Sequence, residues 1–121
     1  MINYSIYNEK PLIFSFSSKR CLYKLPCEDI QYFESSNRII YLHTSNCSYE
    51  FYGKLNDLEE MMSGTGQHYI RIHQSYLVNF KYIRSLKNSE VILVNGEILP
   101  ISPNRHKQVR QEFRKLAQYR T

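Results

Sequence analysis

RIHQSYLVN at residues 71–79, followed by VNGEILPIS at 94–102 and a strongly basic tail, carries the reading of the fold. Arg71, His73, Gln74 and Asn79 interleave with Ile72, Tyr76, Leu77 and Val78, as expected of a segment that packs into a core and presents polar groups at one end. Downstream, strands at 90–94 and 97–101 flank Asn95-Gly96, a pair suited to the positive φ angles of a type I′ hairpin turn. Ser102-Pro103 then reads as a helix start, with the hydroxyl capping free N–H groups and proline at the first helical position. From about 103 to 119 the apolar residues Val109, Phe113, Leu116 and Ala117 fall at i, i+4, i+7 and i+8. Such a helix docks by one stripe and leaves Arg105, Lys107, Arg110, Arg114 and Lys115 mostly outside.

Upstream, short alternating runs predict strands at 12–17, 20–25, 30–35, 38–44 and 48–52. Ser35-Ser36-Asn37-Arg38 is a polar turn with one cation at its tip. After Gly53, Leu55, Leu58, Met61 and Met62 take helical spacing, with Asp57, Glu59 and Glu60 on other faces, so a short amphipathic helix is expected. Ser63-Gly64-Thr65-Gly66 ends it, strand resumes at 69–72, and 75–79 reads as a bent connection before a strand at 81–87. The fold class read from the pattern is mostly β: about eight to ten short strands, one inserted helix and one C-terminal helix.

A chain of 121 residues is expected to form one domain over 1–121, and 42% hydrophobic content with 11 Tyr and 6 Phe favours sheet over disorder. Residues 1–101 hold ten Lys or Arg and ten Asp or Glu, whereas 102–121 hold six basic residues against Glu112, so the whole net charge of +5 sits in the tail. A basic terminal element attracts a polyanion, although a charge run taken alone is more often a solvated helix face. Cys21, Cys27 and Cys47 are odd in number and lack zinc-type spacing with any His, which fits a reduced, cytoplasmic setting. No apolar run reaches the ~20 residues of a membrane span. No cofactor motif is found: a Gly-rich phosphate loop, a G-x-S-x-G elbow and HExxH are all missing, so catalysis is not expected.

The polar residues of 71–79 are base-reading types, since Arg suits a guanine edge and Gln or Asn an adenine edge in the major groove. Single residues have blander readings. His73 is more often a histidine that braces a loop than a ligand, and Asn79 and Ser75 are expected to hydrogen-bond local backbone. Arg71 meets a phosphate or pairs with a carboxylate such as Glu34, the two being equally plausible. Tyr41, Tyr49, Tyr52 and Tyr82 are most economically core or sheet-surface aromatics. An exposed row of them would instead suggest single-strand stacking. A β-rich single-stranded nucleic-acid binder and a protein-interaction module are the competing classes.

Taken together, YFESSNR at 32–38, EFYGKLNDLEE at 50–60, RIHQSYLVN at 71–79 and ILPISPNRHK at 98–107 resemble the LytTR family of bacterial DNA-binding domains, over roughly residues 20–115. The resemblance implies an elongated fold of small antiparallel β-sheets with flanking helices, whose loops enter successive major grooves of double-stranded DNA, commonly as the output domain of a two-component response regulator. It implies contacts from Asn37 and Arg38, from Gln74, and from Asn104 with Arg105. Arg71 and Lys107 complete the expected DNA-binding set. Where family members often carry Arg after the hairpin-end Ser, this chain has Pro103, and Arg105 is expected to substitute. The resemblance also implies sites of paired direct repeats, with two copies, a possible dimer, on DNA. No receiver domain is legible, because only Asp29 and Asp57 are present. The signalling input is expected from another chain region or another protein.

Overall fold

Ile40 and Leu42 are fully buried between half-exposed neighbours along Ile39–His43, the period-two signature of a strand with one face on a core. In the computed structural model, which describes residues 4–7 and 12–119, this segment is the fifth of eleven strands. They are β1 (Tyr4–Tyr7), β2 (Ile13–Ser18), β3 (Cys21–Pro26), β4 (Tyr32–Ser36), β5 (Ile39–His43), β6 (Ser48–Tyr52), β7 (Tyr69–His73), β8 (Tyr76–Asn79), β9 (Ile83–Lys87), β10 (Glu90–Leu93) and β11 (Ile98–Pro100). Helix α1 spans Leu55–Met62 and α2 spans His106–Tyr119.

All strand pairings are antiparallel, in a central sheet of order β6-β5-β4-β8-β7 and two three-stranded sheets, β1-β2-β3 and β11-β10-β9. The central sheet buries both faces, which is why adjacent apolar residues occur on its middle strands. On β4, Phe33 faces a core with Phe14, Phe51, Leu55 and Leu58, whereas its neighbour Tyr32 faces a second core with Ile70, Val91, Leu99 and Val109. On β8, Leu77 and Val78 divide the same way. The first core is closed by β1–β3 and α1, the second by β9–β11 and α2.

Two strands go beyond the sequence reading. Tyr4–Tyr7 pairs with β2, and 76–79 is a strand in the central sheet rather than a bent connection, paired with both β4 and β7. Its three buried residues in a row, Leu77, Val78 and Asn79, hide the alternation that would have announced it. The Asn95-Gly96 hairpin exists, but its turn is not type I′. Gly96 has φ 92° and Asn95 is not among the residues with positive φ. The Gly96 N–H donates to Leu93 O, and Asn95 Oδ1 accepts from the Glu97 N–H. That is a three-residue loop ending in a left-handed glycine. Type I′ turns fall instead at Lys19-Arg20 (φ 50° and 69°) and Asn37-Arg38 (φ 52° and 66°). The second helix also starts differently. Pro103–Arg105 forms a 3-10 turn, and the Ser102 hydroxyl donates to Ile72 O, 3.4 Å away, rather than capping.

Two local features tie the layers together. Tyr32 donates to Glu97 at 2.6 Å and stacks on His43 with ring centroids 4.3 Å apart. Burial and the Glu97 carboxylate hold its phenol well above the usual range, so it stays a donor. At Gly53, a Cβ would lie 2.9 Å from Tyr4 Cε1 and 3.4 Å from Ile40 Cγ1, so the β6–α1 junction closes only on a residue without a side chain. Gly53→Ala is expected to cost roughly 1–3 kcal/mol, as overpacking does. A chemical denaturation midpoint unchanged from the native chain would contradict that.

Candidate nucleic-acid interface

The hairpin turn between β7 and β8 presents Gln74, and neighbouring groups fix the turn's backbone from both sides. The Arg71 guanidinium donates through Nε to His73 O at 2.8 Å and through Nη2 to Gln74 O at 2.6 Å. His73 Nδ1 accepts from the Ser75 N–H at 3.0 Å. Arg71 Nη1 reaches back to α1, to Asn56 Oδ1 at 2.8 Å and Glu59 Oε1 at 2.9 Å. Four of the five N–H donors of a guanidinium are thus engaged. The Gln74 side chain remains exposed at the tip.

Asn37 and Arg38 form the turn between β4 and β5, held in left-handed conformation at φ 52° and 66°. Asparagine accepts this readily, but for arginine it costs on the order of 1–2 kcal/mol. The Gly53 N–H donates to Arg38 O at 3.0 Å, which pins the strained residue from outside. The Ser35 N–H donates to Ser75 O at 2.9 Å and so joins this turn to the Gln74 turn. Between them runs an open polar groove lined by Asn37, Arg38, Lys54, Asn56, Arg71 and Gln74.

Lys54 was not legible as a site residue. The β5–β6 register pairs Ile39 with Tyr52, which places residues after Tyr52 beside residues before Ile39, so the lysine stands next to the Asn37-Arg38 tip. The pairing of 38–44 with 48–52 is the signal that would have found it.

A third segment joins by the backbone. The Ser102 N–H donates to Ile72 O at 3.0 Å, which holds the Pro103–Arg105 turn against the end of β7. Asn104 and Lys107 are exposed there and Arg105 is half-buried. Asn37 with Arg38 and Asn104 with Arg105 therefore sit on two turns hydrogen-bonded to the β7–β8 hairpin that carries Gln74, and Lys107 follows in the first turn of α2.

Arg71 belongs to the support rather than the tip. Its side chain is only 7% exposed, and its carboxylate partner is Glu59, not Glu34. Glu34 instead faces His43, with Nε2 and Oε1 3.1 Å apart. His73 and Asn79 act as braces. Asn79 is buried, donates to Ile30 O at 3.0 Å and accepts from the Lys81 N–H at 3.1 Å. Ser75 takes part through its backbone N–H and C=O. Of the four tyrosines, Tyr41, Tyr49 and Tyr82 are half-buried and Tyr52 is exposed. All three cysteines are free, and burial pushes the Cys27 thiol up to about 11. Among the described residues, no helix is long and apolar enough to cross a membrane.

Rigid antiparallel sheets with polar turns at one edge and a cationic helix beside them define a β-rich nucleic-acid-binding domain. The chain belongs to the LytTr DNA-binding domain family, whose model matches residues 20–114. It is 38% identical over 65 residues to the transcriptional regulatory protein LytR of several Staphylococcus aureus strains, strain COL among them. That match covers 50% of this chain and 26% of the relative, so the matched stretch spans about a quarter of the curated relatives' length. A solved LytTr DNA-binding domain from Bacillus cereus, described as part of a methyl-accepting/DNA response regulator, shares the fold with TM-score 0.69 at 19% identity. The superposition covers 82% of this chain and 94% of that one. Strands β1 and β2 lie outside the family match.

Proposed function

We propose that this domain reads sequence in duplex DNA by setting its edge turns into the major groove. It would serve as the output domain of a cytoplasmic transcription regulator whose signal enters through a receiver domain or another partner outside this chain. Gln74 reads a base, Asn37 with Arg38 and Asn104 with Arg105 read or flank further bases, and Lys107 meets a phosphate. Arg71 positions the Gln74 turn. Two copies bind paired direct repeats, and the domain does no catalysis.

The observation that carries this reading is the Ser35–Ser75 backbone hydrogen bond, which holds two exposed polar tips at a fixed separation. Fixed donors and acceptors suit base-edge recognition, because discrimination depends on groups that cannot relax toward the wrong base. Competition between duplex and single-stranded oligonucleotides of one sequence tests the choice of ligand. Duplex is expected to win, and preference for the single strand would favour stacking on exposed aromatics instead. Lys107→Ala is expected to weaken cognate and random duplex alike and to flatten the salt slope by about one unit. An unaltered slope would remove Lys107 from the phosphate contacts.

A further inference from the structure

Helix α2 starts at the Pro103–Arg105 turn and carries cations away from it. At 100° per residue, Lys107, Arg110 and Arg114 fall within an arc of about 60°, and the first and last are about 10 Å apart along the axis. The stripe ends in a groove between α2 and β9 lined by Arg84, Leu86, Arg110, Phe113 and Arg114. Phe113 packs edge-on against Phe80, with ring centroids 5.4 Å apart, and fixes that flank of the helix.

Two of these guanidiniums are held by backbone carbonyls. Arg84 Nη2 donates to Val94 O, and Arg110 Nη2 donates to Asn88 O at 3.1 Å. Among the described residues, none of the three arginines forms a salt bridge, and no carboxylate lines the groove. Three like charges are gathered here, with Arg84 and Arg114 exposed and no carboxylate in the lining to balance them.

We infer that Arg84, Arg110 and Arg114 form a phosphodiester-binding groove that anchors the DNA backbone beyond the base-reading turns. The inference rests on the duplex reading proposed above. DNA is favoured over an acidic protein surface because the groove continues a cationic stripe that begins at a reading turn. Arginine suits the role, since its fork matches phosphate oxygens and its charge is permanent. Such contacts position the duplex and carry no sequence information.

The test is equilibrium binding of the full chain, Arg84→Gln, Arg110→Gln and the double variant to a selected duplex and a random duplex over a salt series. The double variant is expected to flatten the slope of log K against log salt by about two units. Affinity should fall by the same factor on both duplexes, leaving their ratio unchanged. Arg84→Lys should keep the slope, and thermal melts of each variant separate a folding defect from a lost contact. Native slopes in the double variant, while Gln74→Ala still lowers discrimination between the duplexes, would overturn the groove and leave base reading intact. A changed ratio between duplexes would overturn it too, by making the arginines base readers. Unchanged DNA binding with loss of binding to polyglutamate would reassign the groove to an acidic protein surface. A native chain that does not distinguish the duplexes removes base reading, and the groove then stands or falls on the slope alone.

Discussion

Gln74→Ala is expected to lower affinity for the cognate duplex by about 1–3 kcal/mol, between 5- and 150-fold, and to leave binding to random duplex almost unchanged. The asymmetry follows from the geometry of the tip. The amide stands on a turn in which Arg71 holds His73 O and Gln74 O and the Ser75 N–H donates to His73 Nδ1, so truncation removes one side chain without moving the backbone. An amide offers a donor and an acceptor together, which matches one base edge and mismatches the others. Stability should stay within about 0.5 kcal/mol, because the side chain is exposed. Equal losses on cognate and random DNA would show that Gln74 touches only the backbone.

Arg71→Ala should behave in the opposite way, reducing stability and DNA affinity together. The guanidinium bridges the Gln74 turn and α1 with four hydrogen bonds while only 7% exposed. Glu59 is 47% exposed and rehydrates once freed, so the ion pair itself contributes little. The main loss is at His73 O and Gln74 O, which lose a charged donor. Together these changes are expected to cost about 2–3 kcal/mol and lower the thermal midpoint by roughly 10 °C. Arg71→Lys keeps the charge but lacks the fork that reaches three acceptor directions, so little should be recovered. If the melt were native and only DNA binding fell, Arg71 would be a phosphate contact rather than a brace.

Segments in which one face is buried were legible from sequence. The strand Ser48–Tyr52 was read to the residue, and Ile39–His43 and the two helices within a few residues, since each exposes one face and the pattern follows. Tyr76–Asn79 was misread because a strand buried on both faces looks like a plain apolar run. The N-terminal strand went unassigned because its alternation spans only four residues, too short to stand out, and pairing with β2 and the packing of Tyr4 against Phe51 hold it in place. Turn types were judged by composition. Asn95-Gly96 looked ideal for type I′, yet a bond from the Glu97 N–H to the Asn95 side chain holds a different loop, while Asn37-Arg38 takes the strained geometry.

For the site, the family resemblance supplied the candidate contacts Asn37, Arg38, Gln74, Asn104 and Arg105, and the turns that carry them are short-range features written locally. What those tips rest on was not local. Whether Arg71 faced solvent, Glu34 or Glu59 depended on where α1 lands on the central sheet, and Lys54 and Arg84 joined cationic surfaces only through strand register and helix docking. Periodicity and turn residues settle which face of each element is buried, because that preference arises within a few residues. Which elements meet is settled by packing two cores on opposite faces of one sheet, a choice among contacts far apart in the chain that no short stretch encodes.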